Sequence, residues 1–237
     1  MKISVASLTD AGPRSINEDT LDYWVANTGE TLACIADGLG GMGGGDVASQ
    51  LAVKNFKAFL SDKIISEQSL VEAAKFAHKA IRSAQETGTA NRMATTLTAA
   101  ALSPAGIVGV HCGDSRAVIA RKNGIKRLTK DHSEGQRFFD AGKLSKKELA
   151  SYPRKHILES ALGEQEEPQI VSYNFNLLPG DRIILTTDGV HNIVLLREMY
   201  RLISISSSPK DFVNNILDIL KGREVKDNYS LISLFVD

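Results

Sequence analysis

Cysteine, proline and tryptophan are scarce in this sequence, charge of either sign is in no excess, and no long apolar run occurs. Each shortage removes a class of protein. Two cysteines, Cys34 and Cys112, are too few for a disulfide framework, and each falls in an apolar run where a free thiol acts as a small hydrophobe. Twenty-eight basic residues balance 28 acidic ones, so no global field favours nucleic acid or anionic lipid as a partner. Nothing approaches the roughly 20 consecutive apolar residues that cross a bilayer. Met1 to Leu8 alternates polar and apolar, unlike the apolar core of a secretion signal, so a soluble cytoplasmic protein is expected. No Pro/Gly/Ser-rich linker divides the chain, and a single domain over residues 1–237 is expected. At that length, with 43% hydrophobic residues, it can bury a core unaided.

What is abundant is glycine, and it is concentrated in Thr31–Asp46, TLACIADGLGGMGGGD. An apolar run bounded by a turn signal reads as a buried strand, with Asp37 at its end. So much glycine implies that something approaches the backbone closely, either a phosphate or a metal ion. Gly38-Leu39-Gly40-Gly41-Met42-Gly43 also satisfies the G-x-G-x-x-G pattern of dinucleotide sites. That reading needs a parallel strand with an acidic end after the helix, and a second helix follows instead. Leu51-Ala52-Val53-Lys54 mimics a kinase lysine motif, but no H-R-D or D-F-G follows it, and no G-K-[ST] makes a P-loop.

Residues 2–8 alternate and read as a strand, followed by turn chemistry at Thr9–Pro13 and a charged run at Arg14–Asp19. Asp46 is expected to cap a helix to Leu60 with Val47, Leu51, Phe56 and Phe59/Leu60 on its apolar face. Ser69 to Glu72 reads as the capping box of a second helix ending near Thr87. From Ala94 short β-type runs follow, two of them joined by a tight turn at Gly113-Asp114-Ser115-Arg116. Residues 129–163 are the least regular and read as a solvent-facing flap with a helical FFDAGKLSKKELASY. Gln169–Leu178 alternates, Arg182–Thr187 is a strand that runs into Asp188-Gly189, Ser208-Pro209 starts a helix, and Asp227-Asn228 precedes a last strand. Grouped helices and runs of strands, without regular alternation, indicate an α+β fold with antiparallel sheets.

Asp37, Asp114, Asp188 and Asp227 each stand at a strand end or strand turn, and Glu18 and Asp19 follow the first strand. Carboxylates that converge cannot all stay ionised unless cations neutralise them. With oxygen ligands and no Cys/His spacing, the ions should be hard, Mg²⁺ or Mn²⁺ before Zn²⁺. His78, His111 and His156 are isolated, and surface or core roles suffice for them.

Taken together, Arg14 with Asn17-Glu18-Asp19, Asp37-Gly38-x-Gly40-Gly41, Ala94-Thr95-Thr96, Gly113-Asp114-Ser115-Arg116, Leu128-Thr129-x-Asp131-His132-Ser133, Thr187-Asp188-Gly189 and Asp227-Asn228 have the order and approximate spacing found in type-2C serine/threonine protein phosphatases. From about Val5 to Val236 the chain resembles a compact bacterial member of that metal-dependent family. The resemblance implies a four-layer α/β/β/α sandwich with two central antiparallel sheets and a flap subdomain at about 133–163. It implies that Asp37 bridges two ions, Gly38 lends one of them its carbonyl, and Asp188 and Asp227 complete the other. Glu18 would hold a metal-bound water, Asp19 and Asn228 would support the site, Arg14 would clamp the substrate phosphate, and Asp114 with Asp188 would recruit a weaker third ion. The implied chemistry is hydrolysis of phosphoserine and phosphothreonine in proteins by a hydroxide bridging two Mn²⁺ or Mg²⁺ ions. Implied partners are phosphoproteins and a Ser/Thr kinase counterpart, met by a monomer without nucleic acid or membrane. The alternative is a catalytically weak pseudophosphatase that binds phosphoproteins. Three departures stand out: Leu39 where some members carry a histidine, Ala94 in place of a glycine, and Glu134-Gly135 where apolar residues are common.

Overall fold

The computed structural model describes residues 1–40, 43–87 and 92–237; Gly41 and Met42 of the glycine stretch lie outside them. The strands are β1 (Ile3–Asp10), β2 (Asp19–Val25), β3 (Thr31–Leu39), β4 (Ala94–Thr95), β5 (Leu97–Ser103), β6 (Gly106–Cys112), β7 (Arg116–Arg121), β8 (Gly124–Arg127), β9 (Val171–Phe175), β10 (Arg182–Thr186) and β11 (Tyr229–Val236). The helices are α1 (Gly45–Leu60), α2 (Glu67–Thr87), α3 (Glu134–Asp140), α4 (Lys146–Ser151), the single turn α5 (Asp188–His191), α6 (Leu196–Ile205) and α7 (Pro209–Lys221). One sheet runs β1-β11-β10-β7-β8 and the other β2-β3-β5-β6-β9, with β4 appended to β3, and every pairing is antiparallel.

Three apolar clusters show how the layers stack. Ala33, Ile35, Leu102, Ile119, Ile183, Ile232 and Leu234 pack between the sheets. Leu32, Cys34 and Ala36 turn the other face of β3 onto Ala52, Phe56, Leu70 and Ala77 of α1 and α2. Leu231 and Phe235 turn the outer face of β11 onto Phe212 and Ile216 of α7. β11 is buried along its whole length, as a strand covered on both faces must be. The expected four-layer α/β/β/α sandwich is therefore the architecture, and both cysteines are buried free thiols within it.

Several local expectations change. α1 starts from Gly44 in the left-handed region at φ 90°, and Asp46 lies inside the first turn without capping it, where its charge still suits the helix N-terminus. Val47 is exposed, and Ala48, Ala52 and Val53 take the buried face instead. α2 begins at Glu67 rather than Ser69, because Ser66 and Ser69 exchange hydrogen bonds across the first turn. β2 starts at Asp19, the last residue of the charged run, and neither it nor α6 was anticipated. The helical stretch expected in the flap is broken into α3, capped by Ser133, and α4, which has a Ser145/Glu148 capping box.

Candidate active site

Asp37 does not end its strand; β3 continues to Leu39, and Asp37 pairs across the ladder with Asp19, the first residue of β2. By alternation both share the face of Ile35 and Leu21, so both point between the two sheets at one end of the sandwich. Like charges placed directly opposite on neighbouring strands repel. The backbone of Asp37 is held on all sides: Thr96 N and Thr95 Oγ1 donate to its carbonyl at 2.9 Å each, and its own N–H donates to Thr96 Oγ1 at 2.9 Å. Thr187 Oγ1 donates to Asp19 Oδ2 at 2.8 Å, tying β2 to the end of β10 in the opposite sheet.

The segment before β2 is anchored by Asn228. Its Oδ1 accepts from Glu18 N at 2.9 Å, while its Nδ2 donates to the carbonyls of Ala11 and Ile16 at 2.8 and 2.9 Å. The glycines follow from what this anchoring places beside them. A Cβ on Gly40 would lie 1.9 Å from Glu18 Oε2, and one on Gly38 would lie 2.2 Å from the Gly45 carbonyl. What approaches the backbone so closely is the Glu18 carboxylate and the loop's own chain. Arg14 stands at the rim, more than half exposed, with Nη2 on Asp227 Oδ2 at 3.0 Å and Nε on the Lys226 carbonyl at 3.1 Å.

Asp188 opens α5, and its Oδ2 accepts from Asn192 Nδ2 at 3.2 Å. Asp114, in the β6–β7 turn, and His156, beyond α4, each bring a ligand atom to within 4.8 Å of one another and of Asp188. Behind them Arg116 grips Asp131 through Nε at 3.0 Å and Nη2 at 2.6 Å, and Arg127 Nη2 reaches the same carboxylate. Glu134, unexpected at its position, accepts from Arg154 at 2.8 and 2.9 Å and from the Tyr152 hydroxyl at 2.5 Å, so it clamps α3 to the end of α4. A Cβ on Gly135 would lie 2.7 Å from Lys155 Cα, which accounts for the glycine beside it.

The electrostatics follow from this crowding. Burial, and then Asp19, Asp188, Asp114 and Asp227 in that order, hold Asp37 well above the usual carboxylate range. Burial and Asp188 push Asp114 up to about 7. Burial pushes Asp19 to about 7 against the pull of the Ser230 and Thr187 hydroxyls, and burial with Asp227 pushes Asp188 to about 6. Glu18 is raised by burial and by Asp46. Among the described residues, Arg14 forms an ion pair with Asp227, and Arg116 partly offsets the charge of Asp114 and Asp188. A set of oxygen donors so short of positive charge fits divalent cations. Asp131 is the contrast: despite burial, Arg116 and Arg127 pull it down to about 2.

Glu18, Asp19, Asp37, Asp114, Asp188, Asp227, Asn228 and Arg14 thus lie at one end of the sandwich. Sequence reasoning missed His156, set aside as isolated, and Asp46, taken for a cap. It also passed over Thr187 and Asn192 as site residues. His78 and His111 do serve the core: His78 Nδ1 accepts from Gly163 N at 3.1 Å, and His111 bonds Thr98 Oγ1 at 2.8 Å. Only the Asn192 signal was local, four residues after Asp188 on one helical turn; the others depend on chain segments far apart in sequence.

The sequence model of protein phosphatase 2C matches residues 13–228. The serine/threonine phosphatase Stp of Listeria welshimeri is 30% identical over 232 residues, covering 94% of this chain and 92% of that protein. The Streptococcus agalactiae serine/threonine phosphatase superposes with a TM-score of 0.88 at 27% identity, covering 100% of both chains. The catalytic domain of the serine/threonine protein phosphatase PstP, solved in complex with two manganese ions, superposes with a TM-score of 0.83 at 26% identity, covering 99% of each.

Proposed function

The chain belongs to the protein phosphatase 2C family, and from that premise we propose how its residues divide the work of a metal-dependent serine/threonine protein phosphatase. The reaction is hydrolysis of phosphoserine and phosphothreonine esters in proteins. The observation that carries the assignment of residues is the convergence of Asp19, Asp37, Asp114, Asp188 and Asp227, a crowding that raises the pKa values of the first four, with Arg14 beside Asp227.

Asp37, Asp188, Asp227 and the Gly38 carbonyl would hold two ions, Mn²⁺ or Mg²⁺, with Glu18 as the carboxylate that would support one of them. When bound, such ions supply Lewis acidity and a water nucleophilic at neutral pH. Asp19 steadies Asp37 from across the ladder and is itself oriented by Thr187. Asn228 fixes the Glu18 backbone. Arg14, at the rim beside Asp227, would bind the substrate phosphate, which the two N–H groups of its planar fork can grip bidentately. Asp114 and Asp188 would hold a third, weaker ion, to which His156 could offer an imidazole nitrogen. Residues 133–163 act as the flap over this end. The enzyme works in the cytoplasm as a monomer, opposite a Ser/Thr kinase; among the described residues no helix is long and apolar enough to cross a membrane. Against a binding-only role, every carboxylate of the set is present.

Phosphate release from a phosphothreonine peptide tests the assignment. Activity is expected with Mn²⁺, none with EDTA, and none for Asp37→Asn. Turnover that survives EDTA, or an unimpaired Asp37→Asn variant, overturns it.

A further inference from the structure

A cavity of about 180 Å³ lies between the core and the α3–α4 segment, and its walls include Asp114, Arg116, Arg127, Asp131, Lys155 and His156. It adjoins the carboxylate end directly, since Asp114 and His156 belong to both, and Asn192, also on its wall, bonds Asp188. Its charge is of the opposite kind. Three cations, Arg116, Arg127 and Lys155, face two carboxylates, and one of those, Asp131, is already held by both guanidiniums. The Arg116–Asp131–Arg127 group therefore carries one positive charge in excess, with side chains only 24%, 11% and 30% exposed. Asp114, the other carboxylate on the wall, offsets it only from the neighbouring acidic cluster to which it also belongs, and buried charge short of its own counterion is costly.

The donors are also incompletely used. Arg127 Nε is buried and has no hydrogen-bond partner among the described residues. Ser133 and Gln136 add polar groups to the same wall. At about 30 Å³ of liquid volume per water, the space holds several waters, which is room for a tetrahedral or planar oxyanion. Guanidinium is the group best shaped to bind one.

We propose that this cavity is a second anion subsite, which takes a phosphate or carboxylate side chain near the phosphoserine or phosphothreonine being hydrolysed. The proposal rests on the phosphatase reading and names its substrate class: phosphoproteins with a further acidic or phosphorylated residue close to the scissile one. The added anion neutralises the excess charge of the arginine pair and engages the idle donors. Arg127 is the specificity residue, and Lys155 adds charge at the cavity wall.

A set of phosphothreonine peptides tests this, identical except that one position, scanned over the four residues on either side, is Ala, Glu or phosphoserine. A charge-assisted hydrogen bond is worth enough to expect kcat/KM about tenfold higher at one or two positions than for the Ala peptide. The gain should lie in KM. Arg127→Gln should bring the ratio to about one, and Lys155→Gln, which breaks no buried ion pair, should lower it partway. Preference for both acids identifies acidic substrates, and preference for phosphoserine alone identifies doubly phosphorylated ones. Calorimetric binding of the same peptides in EDTA reads the subsite without catalysis, so total absence of turnover counts against the phosphatase reading alone. Equal kcat/KM and equal binding across the Ala, Glu and phosphoserine peptides for the wild type overturns the subsite, as does a preference that both variants retain.

Discussion

Two neighbouring regions bury like charges and resolve them in opposite ways. At the carboxylate end, Asp19 faces Asp37 across a strand pair with Asp114, Asp188 and Asp227 close by. Among the described residues, that group has a rim arginine paired with Asp227 and Arg116 acting from behind Asp114 and Asp188. Under the α3–α4 segment, Arg116 and Arg127 crowd together and the protein supplies Asp131 between them. The first group is left for external cations to neutralise, and the second is mostly neutralised from within. A buried charge that the fold satisfies belongs to its stability, whereas one left unsatisfied marks where a ligand is to bind.

The largest effects separate the regions most sharply. Asp37→Asn should cost on the order of 10³-fold in kcat, several kcal/mol of transition-state stabilisation. In EDTA the same variant should unfold at higher urea than wild type, because a mutual repulsion is gone. A destabilised variant would break the comparison. Asp131→Asn should do the reverse and cost about 3–5 kcal/mol in urea unfolding, since it leaves two guanidiniums buried without their partner.

pH provides a smaller but more diagnostic contrast. In EDTA the folded protein holds Asp19 and Asp114 up at about 7 and Asp188 at about 6, above the unfolded value near 3.9. The folded state then binds more protons than the unfolded one between about pH 4 and 7. Stability from this group is present below pH 4 and is lost as pH rises through 7, by up to about 1.4 kcal/mol per pH unit for each carboxylate. Saturating Mn²⁺ should flatten that slope. Asp131, held at about 2, contributes the opposite way: its stabilisation is full above pH 4 and lost as pH falls through 2. Urea midpoints measured across pH, with and without Mn²⁺, separate the two.

The smallest effect concerns support. Gly40→Ala would put a methyl where Glu18 Oε2 now lies, and displacing that carboxylate, if it supports an ion as proposed, should weaken Mn²⁺ binding about 10–100-fold. A calorimetric Mn²⁺ titration equal to wild type would show that the loop yields without moving Glu18.

Much of the fold was legible locally. Apolar runs and turn signals located β3, β5, β6, β7, β10 and β11, and Ser208-Pro209 located the start of α7. Asp37, Asp188 and Asp227 were legible because a carboxylate beside a buried strand has no packing role to explain it. Asp19 was legible as a supporting carboxylate, but its place was not, because nothing adjacent in sequence shows that Asp37 pairs with it. Asp46 looked like a cap because its spacing suits one, but the glycines let the backbone turn a residue earlier, at Gly44. His156 had no neighbouring ligand to announce it.

By itself, the sequence determined which residues can bear charge and which faces can be buried, because residue type decides the one and hydrophobic period the other. Only the tertiary structure decided how those charges group. Asp19 opposite Asp37, His156 beside Asp114, and two arginines around Asp131 are contacts between distant segments. Their energies depend on distance and burial, which exist only once the sheets and the segment between α3 and α4 have packed.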